Sequence, residues 1–165
     1  MGIDDARMEK TERKVDLSIG QRFIVTIEKI AHGGHFIARH QGAVIFVRHA
    51  IPGEEVEIEI TSTGSSFNRA DVVEVLSPSE DRVSAPCRFA HRSGCGGCDF
   101  QHVEISAQLE LKRSVIREQF SRLGRIEIDL DVLPAEPING LHWRTRMDFA
   151  ISKNGKPGLY SARSK

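Results

Sequence analysis

The sequence predicts a mainly β protein with one long helix (α+β), arranged as a small five-stranded β-barrel followed by a cysteine loop, a helix and a β-hairpin. Two observations predict this fold class. Between residues 21 and 75, short runs rich in β-branched and aromatic residues are separated by turn residues, at a spacing typical of small barrels. From 104 to 123 the apolar residues change to a helical spacing. At 165 residues, 39% of them hydrophobic, the chain is long enough to bury a core.

The first segment, Met1–Asp16, alternates acidic and basic residues without apolar periodicity. A segment of this kind cannot bury enough apolar surface to order itself, so we expect a disordered charged tail. It also lacks the apolar run of a secretory signal, and the sequence offers no stretch near the roughly 18 apolar residues of a membrane helix. We therefore expect a cytoplasmic protein that acts without a membrane, and we expect a monomer.

The barrel is predicted from residues 17 to 78. Its clearest strand alternates Val56, Ile58 and Ile60 with glutamates, which puts one face in the core and the other in water. Two glycines at 33 and 34 allow a tight reversal between the first two strands. The run Ser77-Pro78-Ser79 marks the boundary with a second unit, residues 79 to 165. The five strands are expected at 22–30, 35–38, 43–47, 55–60 and 70–76.

The second unit is predicted to contain a helix over Glu104–Leu123 that ends at Gly124. Its apolar stripe is expected to pack in the core, and consists of Ile105, Leu109, Ile116, Phe120 and Leu123. A hairpin follows, in which Trp143–Ile151 alternates apolar and polar residues, Asn154-Gly155 supplies a type I′ turn and Gly158–Ser161 begins the return strand.

The charge is zero overall but unevenly distributed. Residues 1 to 81 contain 9 Lys and Arg against 14 Asp and Glu, whereas residues 82 to 165 contain 14 against 9. The first half therefore carries −5 and the second +5. A modest basic excess is compatible with a nucleic-acid partner, although this excess alone is weak support.

Three cysteines form the strongest chemical motif, Cys87-x7-Cys95-Gly96-Gly97-Cys98. An odd number of cysteines within one short loop is a poor disulfide framework, and clustering among glycines is unlike the packing of free buried cysteines. Metal ligation is the better interpretation. Zinc would need a fourth ligand such as His91 or His102, and a cubane cluster would need a fourth cysteine, so spacing alone leaves the two open. A surface or capping role is the plainer reading of His102.

Several runs of residues resemble one family. The run Gly94–His102, with its CGGC-x2-QH string, followed by Gln108–Lys112, looks like the iron-sulfur segment of SAM-dependent RNA uracil-C5 methyltransferases. The stretch Gly33–Gly53 resembles the RNA-binding TRAM barrel, an OB-like fold that these enzymes carry at their N-terminus. Residues Trp143–Arg146 and Gly158–Tyr160, followed by Arg163-Ser164, are similar to the start of their central domain.

The resemblance implies a 4Fe-4S cluster whose ligands include Cys87, Cys95 and Cys98, with the fourth cysteine shortly beyond Lys165. It implies methylation of ribosomal or transfer RNA, in which a protein cysteine adds to uracil C6 and SAM delivers methyl to C5. The nucleophile, the general base and the SAM-binding fold belong to a later domain of the family. We therefore expect a chain that lacks the catalytic domain and is inactive alone, and assign it no catalytic residue.

The predicted RNA contacts are basic residues on the barrel and on the first hairpin strand. In a barrel of this type such residues could follow phosphates while Phe67 or Phe46 offers a stacking face; core packing is the plainer reading of Phe46. Exposed strand faces carry arginines routinely, so an ordinary surface position is the alternative interpretation of Arg144 and Arg146. The predicted contacts are Lys29, Arg39, Arg48, Arg69, Arg144 and Arg146.

Two other functions fit the same sequence. A free-standing TRAM-type RNA-binding protein with a structural zinc site predicts zinc and no colour, whereas the cluster predicts iron and a brown protein. A redox or iron-sulfur carrier predicts no retention of RNA at low salt.

Overall fold

The computed structural model describes residues 16–135, 140–142 and 144–161. The predicted tail lies outside them except for Asp16, as do Trp143 and Arg163-Ser164. The elements in chain order are β1 (Arg22–Thr26), β2 (Lys29–Ala31), β3 (His35–His40), β4 (Ala43–Arg48), β5 (Glu55–Ser62), β6 (Asn68–Ser77), α1 (Ile105–Gln119), a π-helical turn (Phe120–Gly124), β7 (Ala150–Ile151) and β8 (Pro157–Gly158).

The first six strands form one sheet in the order β1-β5-β6-β4-β3-β2. All neighbours are antiparallel except β4 and β6, which are parallel. The two edge strands, β1 and β2, are consecutive in the chain, so the sheet must curl until its edges approach each other. Backbone bonds at this seam join Ile27 N to Glu54 O at 2.9 Å and Glu28 N to Ile37 O at 2.8 Å. The predicted α+β class with a small OB-like β-barrel is confirmed.

The number of strands differs from the prediction. The run 22–30 was expected to be one strand, but β1 ends at Thr26 and β2 begins at Lys29. Ile27 and Glu28 connect the two edges of the sheet. The Ile27 amide donates to Glu54 O, directly before β5, and the Glu28 amide donates to Ile37 O in β3. A barrel seam therefore divides a segment whose local pattern is continuous. The alternation of β5 is confirmed, because Val56, Ile58 and Ile60 are fully buried.

The helix begins at Ile105, where the Glu104 carboxylate accepts bonds from Ser106 N at 2.6 Å and Ala107 N at 3.2 Å. The prediction that its apolar stripe packs in the core is wrong. No side chain of α1 is buried, and Phe120 and Leu123, which follow α1, are 45% and 73% exposed. The helix instead packs on the barrel through Leu111 and Val115. These positions lie about 120° around the helix axis from the centre of the predicted stripe.

The hairpin is present but shorter than predicted. β7 and β8 pair Ala150 with Gly158 and Ile151 with Pro157. The predicted type I′ turn is wrong, because it needs a positive φ at both Asn154 and Gly155, and only Gly155, at 73°, has one. Residues 144–149 do not belong to a strand. The helix also stops differently, because the left-handed residue after it is Arg125, with a φ of 54°, instead of Gly124.

None of the helices within the described ranges is long and apolar enough to cross a bilayer.

Candidate functional site

The cysteine loop is a series of turns held by its own backbone. The carbonyl oxygens of Cys87 and Phe89 accept bonds from Ala90 N at 3.0 Å and Cys95 N at 2.9 Å, respectively. The side chain of Gln101 closes the loop by accepting a bond from Cys87 N at 3.1 Å. Cysteines separated along the chain are thus drawn into one compact loop.

The thiols of this loop are accessible to solvent. Cys87 and Cys98 are exposed, and Cys95 is partly buried. The amide of Gly97 donates to Cys95 Sγ at 3.3 Å, and N–H groups directed at sulfur favour its negatively charged form. A Cβ added at Gly97 would lie 3.3 Å from that sulfur and 3.0 Å from Leu159 Cδ1. The glycine therefore lets the backbone approach the sulfur closely.

The end of the hairpin pairs with the same loop. Gly96 N donates to Tyr160 O at 3.1 Å, and Cys95 and Ser161 form an isolated antiparallel bridge. The residues directly before position 162 therefore lie beside Cys95.

The three thiols are not assembled as a preformed metal centre. Within the described ranges, no group of three or more His, Cys, Asp or Glu side chains is placed to hold an ion. The assignment of Cys87, Cys95 and Cys98 as cluster ligands stays a prediction.

His102 is neither a surface residue nor free to bind metal through Nε2. It is 9% exposed, its Nε2 lies 3.0 Å from Ala50 O, and its ring contacts those of Phe36 and His49. Burial lowers the pKa of His102 below its usual 6.5, because the interior disfavours the charged imidazolium. Of the two histidines named as a possible fourth zinc ligand, His91 remains the candidate.

The barrel arginines and lysine divide into two groups. Lys29 Nζ is paired with Glu118 Oε1 at 2.7 Å, and Arg39 is paired with Glu28. Neither of these two lines the cleft described next.

Arg48 and Arg69 come together at the junction of the barrel and the cysteine loop. They line a cleft of about 480 Å³, which we call the junction cleft and which is bounded by His35, Arg48, Thr61, Ser62, Arg69, Gly96 and Asp99. Arg48 Nη2 reaches Asp99 Oδ1 at 3.1 Å. The parallel pairing of β4 with β6, which places Phe46 opposite Arg69, brings together residues that are far apart in the sequence.

Phe46 is not in the core, contrary to the plainer reading of its sequence position. It is half-buried on the outer side of β4, where its ring meets Phe67 at a centroid distance of 5.0 Å and His35 at 6.1 Å. Phe67, 40% exposed, lies under the Arg69 guanidinium at 5.3 Å. Sequence reasoning missed His35, whose only signal was its place directly after a glycine turn.

The remaining predicted contacts lie elsewhere. Arg144 lines a second groove, of about 490 Å³, which Cys98 and Lys112 also border. Arg146 is exposed and lines neither groove.

A second arginine ties the cysteine loop to the barrel. Arg92, from the loop, pairs with Glu59 of β5, which also pairs with Arg22 at 2.6 Å. The hydrogen bond from Arg22, followed by the charge of Arg92, lowers the pKa of Glu59 from its ordinary value. Glu59 is therefore ionised across the neutral range and holds both cations.

Comparisons with known proteins agree with this architecture. Residues 17–73 match the TRAM domain family, so the barrel is a TRAM domain. A Streptomyces coelicolor protein named an uncharacterized RNA methyltransferase is 45% identical over 159 residues, covering 88% of this chain and 35% of that protein. A Corynebacterium efficiens protein with the same description is 37% identical over 98% of this chain and 38% of its own length.

A third relative carries a more specific name. The 23S rRNA (uracil(1939)-C(5))-methyltransferase of Halomonas elongata is 35% identical over 96% of this chain and 33% of its own length. The chain thus contains a TRAM domain and has proteins named RNA methyltransferases as relatives over most of its length. It spans about a third of the length of the curated relatives it matches.

Proposed function

We propose that this chain is the RNA-binding and iron-sulfur N-terminal portion of a class I SAM-dependent 5-methyluridine methyltransferase that acts on ribosomal or transfer RNA. In this proposal it works in the cytoplasm as part of a monomeric enzyme, and the SAM site and the catalytic residues belong to the remaining two thirds of such an enzyme. The chain by itself binds RNA and transfers no methyl group.

One observation carries the proposal. A TRAM domain places two arginines, Arg48 and Arg69, in one cleft against the loop that contains all three cysteines. Arginine is suited to phosphate because its planar guanidinium donates several hydrogen bonds at once. The names of the relatives, which describe RNA methyltransferases, agree with an RNA partner.

The same loop would hold the cluster. Cys87, Cys95 and Cys98 would supply three thiolates, and the fourth ligand that the resemblance implies would follow Ser161, which already lies beside Cys95. The cluster would fix the loop against the hairpin. Binding of the cluster would order the loop further, because metal binding and local folding are coupled.

The second candidate function is a stand-alone TRAM-type RNA-binding protein with a structural zinc site. It is weakened by the bond between His102 Nε2 and Ala50 O, which leaves His91 as the other of the two histidines named as a fourth ligand.

RNA binding tests the proposal directly. The 165-residue chain is titrated into a fluorescently labelled 23S rRNA transcript, and anisotropy is followed from low to physiological salt. We expect the logarithm of the affinity to fall linearly with the logarithm of salt concentration, because each neutralised phosphate releases counterions.

A methyl-transfer assay accompanies the titration. The chain is incubated with the same transcript and radiolabelled SAM, and we expect no label in the RNA. Failure to bind RNA at low salt, or methyl transfer by the purified chain, would contradict the proposal.

A further inference from the structure

We propose that the junction cleft binds one unstacked nucleotide of single-stranded RNA, with Arg48 holding a phosphate and the guanidinium plane of Arg69 stacking on the base. This inference rests on the proposed function and specifies which surface of the chain grips RNA, and in what form. Four observations support it: the size of the cleft, its charge, the fixed orientation of Arg69 and the composition of its walls.

The size of the cleft suits a small ligand group. Its volume of about 480 Å³ falls in the range of roughly 300–1,000 Å³ typical of ligand pockets. The walls come from strands at one end of the barrel and from the cysteine loop. A site between two units can take a nucleotide from a strand that runs across the surface of both.

The charge of the cleft is positive. Among its lining residues, the cations Arg48 and Arg69 face a single carboxylate, that of Asp99. The Arg48 side chain is only 8% exposed, whereas that of Asp99 is 44% exposed. A guanidinium removed from water interacts strongly with an anion that reaches it, because the surrounding dielectric is low. The single bond to Asp99 orients Arg48 and leaves other N–H groups to donate to phosphate.

Arg69 is held in one orientation by two neighbours. The guanidinium carbon, Cζ, lies 5.3 Å from the centroid of the Phe67 ring, and Nη1 lies 2.6 Å from His35 Nε2. The other ring nitrogen of His35, Nδ1, lies 3.0 Å from Gly33 O. Since a carbonyl can only accept, Nδ1 carries the proton and Nε2 accepts from Arg69. A guanidinium held by two neighbours in this way offers a plane on which an unpaired base can stack.

The remaining walls are polar and uncharged. Thr61 and Ser62, at the end of β5, contribute hydroxyls, which can both donate and accept hydrogen bonds. Unstacked bases are recognised through stacking and through their Watson–Crick edges, which are paired with the opposite strand in a duplex. The chemistry of the cleft therefore favours a single strand over a duplex.

The test uses the full chain with three probes: a 12-nucleotide labelled oligouridine, the same oligouridine annealed to oligoadenosine, and uridine monophosphate as a competitor. We expect the single strand to bind more tightly than the duplex. Uridine monophosphate should compete weakly, because it offers only one of the contacts that a strand makes. A competitor as strong as the oligonucleotide would overturn the inference in favour of a free-nucleotide site.

Variants localise the binding. We expect Arg69→Ala to weaken oligouridine binding about fivefold or more, the effect of losing one stacked base. Arg69→Lys should keep the salt slope but lose most of this affinity, because lysine retains charge without a plane. Phe67→Ala, in a half-exposed position outside the core, should weaken binding by releasing Arg69. The matched control is Arg22→Ala, which removes one exposed cation from the same barrel outside the cleft and should change binding less than twofold.

Thermal denaturation of each variant reports whether it is folded. Binding of the ribosomal transcript with no preference for single strands, or an equal loss in Arg69→Ala and Arg22→Ala, would overturn the junction cleft while leaving the proposed function intact. Failure of the wild-type chain to bind any RNA would overturn both.

Discussion

The fully buried carboxylate of Glu54 receives both Nε and Nη2 of Arg82, at 2.6 and 2.7 Å. Glu54 follows the turn before β5, whereas Arg82 lies in the segment after the barrel. Arg82 Nη2 also donates to His49 O at 2.9 Å, and the carboxylate accepts the backbone amides of Ile51 at 2.8 Å and Ser79 at 3.1 Å. One buried ion pair therefore joins the TRAM barrel to the segment that leads into the cysteine loop.

Removing one partner of this pair should destabilise the whole chain. In Arg82→Met, the Glu54 charge would remain buried without its cation, and a loss of about 3–5 kcal/mol in the free energy of unfolding is expected. Urea denaturation followed by circular dichroism measures it. Lys29→Met is the matched control, since it breaks the exposed pair with Glu118 and should cost under about 1 kcal/mol. Equal losses in the two variants would show that the Glu54 pair has no special role.

Stability should fall at mildly acidic pH because of His102. Burial lowers the pKa of His102 in the folded chain from 6.5. As the pH falls below 6.5, the imidazole is therefore protonated in the unfolded chain before it is protonated in the folded one. Unfolding is then favoured as pH falls from 6.5 toward the folded pKa, and stability recovers above 6.5. Denaturation is compared at pH 7.5 and pH 5.5.

The variant His102→Gln isolates this effect. Glutamine can still donate to Ala50 O but does not titrate, so the difference in stability between the two pH values should be smaller than in the wild type. The other six histidines and the carboxylates are common to both proteins. An unchanged pH dependence would contradict the assignment.

Alanine substitutions at the two glycines of the turn before β3 should differ in how much they lower the stability. Gly33 and Gly34 have φ values of 88° and 77°, so alanine at either position pays a left-handed backbone cost of about 1–2 kcal/mol. A Cβ at Gly34 would also lie 3.3 Å from the Phe100 ring, whereas a Cβ at Gly33 meets nothing within 4 Å. We expect Gly34→Ala to be the less stable variant by thermal denaturation. A Gly33→Ala variant of equal or lower stability would show that Phe100 yields freely.

Metal loading should identify iron. After anaerobic purification and incubation with iron and sulfide, we expect a brown protein that contains both elements, and we expect Cys95→Ser to lose them. Ser93→Ala, in the same loop, is the control and should retain them. A colourless protein that contains zinc would support the alternative site instead.

Much of the fold is predictable because its determinants are local. The period-two alternation of Val56, Ile58 and Ile60 identifies a half-buried strand, and the structure buries all three. The helix was located within a few residues, but the face that packs was not. Leu111 and Val115 contact the barrel and form a second apolar row at i, i+4 spacing, and local periodicity does not tell which of two such rows meets the partner.

The candidate site was predictable only in its residue types. Six basic residues were equivalent candidates by sequence, yet Lys29 and Arg39 pair with glutamates while Arg48 and Arg69 share a cleft. The bond that occupies His102 Nε2 with Ala50 O could not be predicted from the sequence either. Such distinctions depend on contacts between residues that are distant in the chain.

By itself, the sequence determined where strands, turns and the helix form and which thiols share a loop, because these follow from spacing along the backbone. The tertiary structure alone decided which charges meet. Arg48 reaches Asp99 across 51 residues, and Arg82 reaches Glu54 across 28. Closure of the barrel and docking of the next segment set those distances, and a charge acts on a partner according to its separation in space.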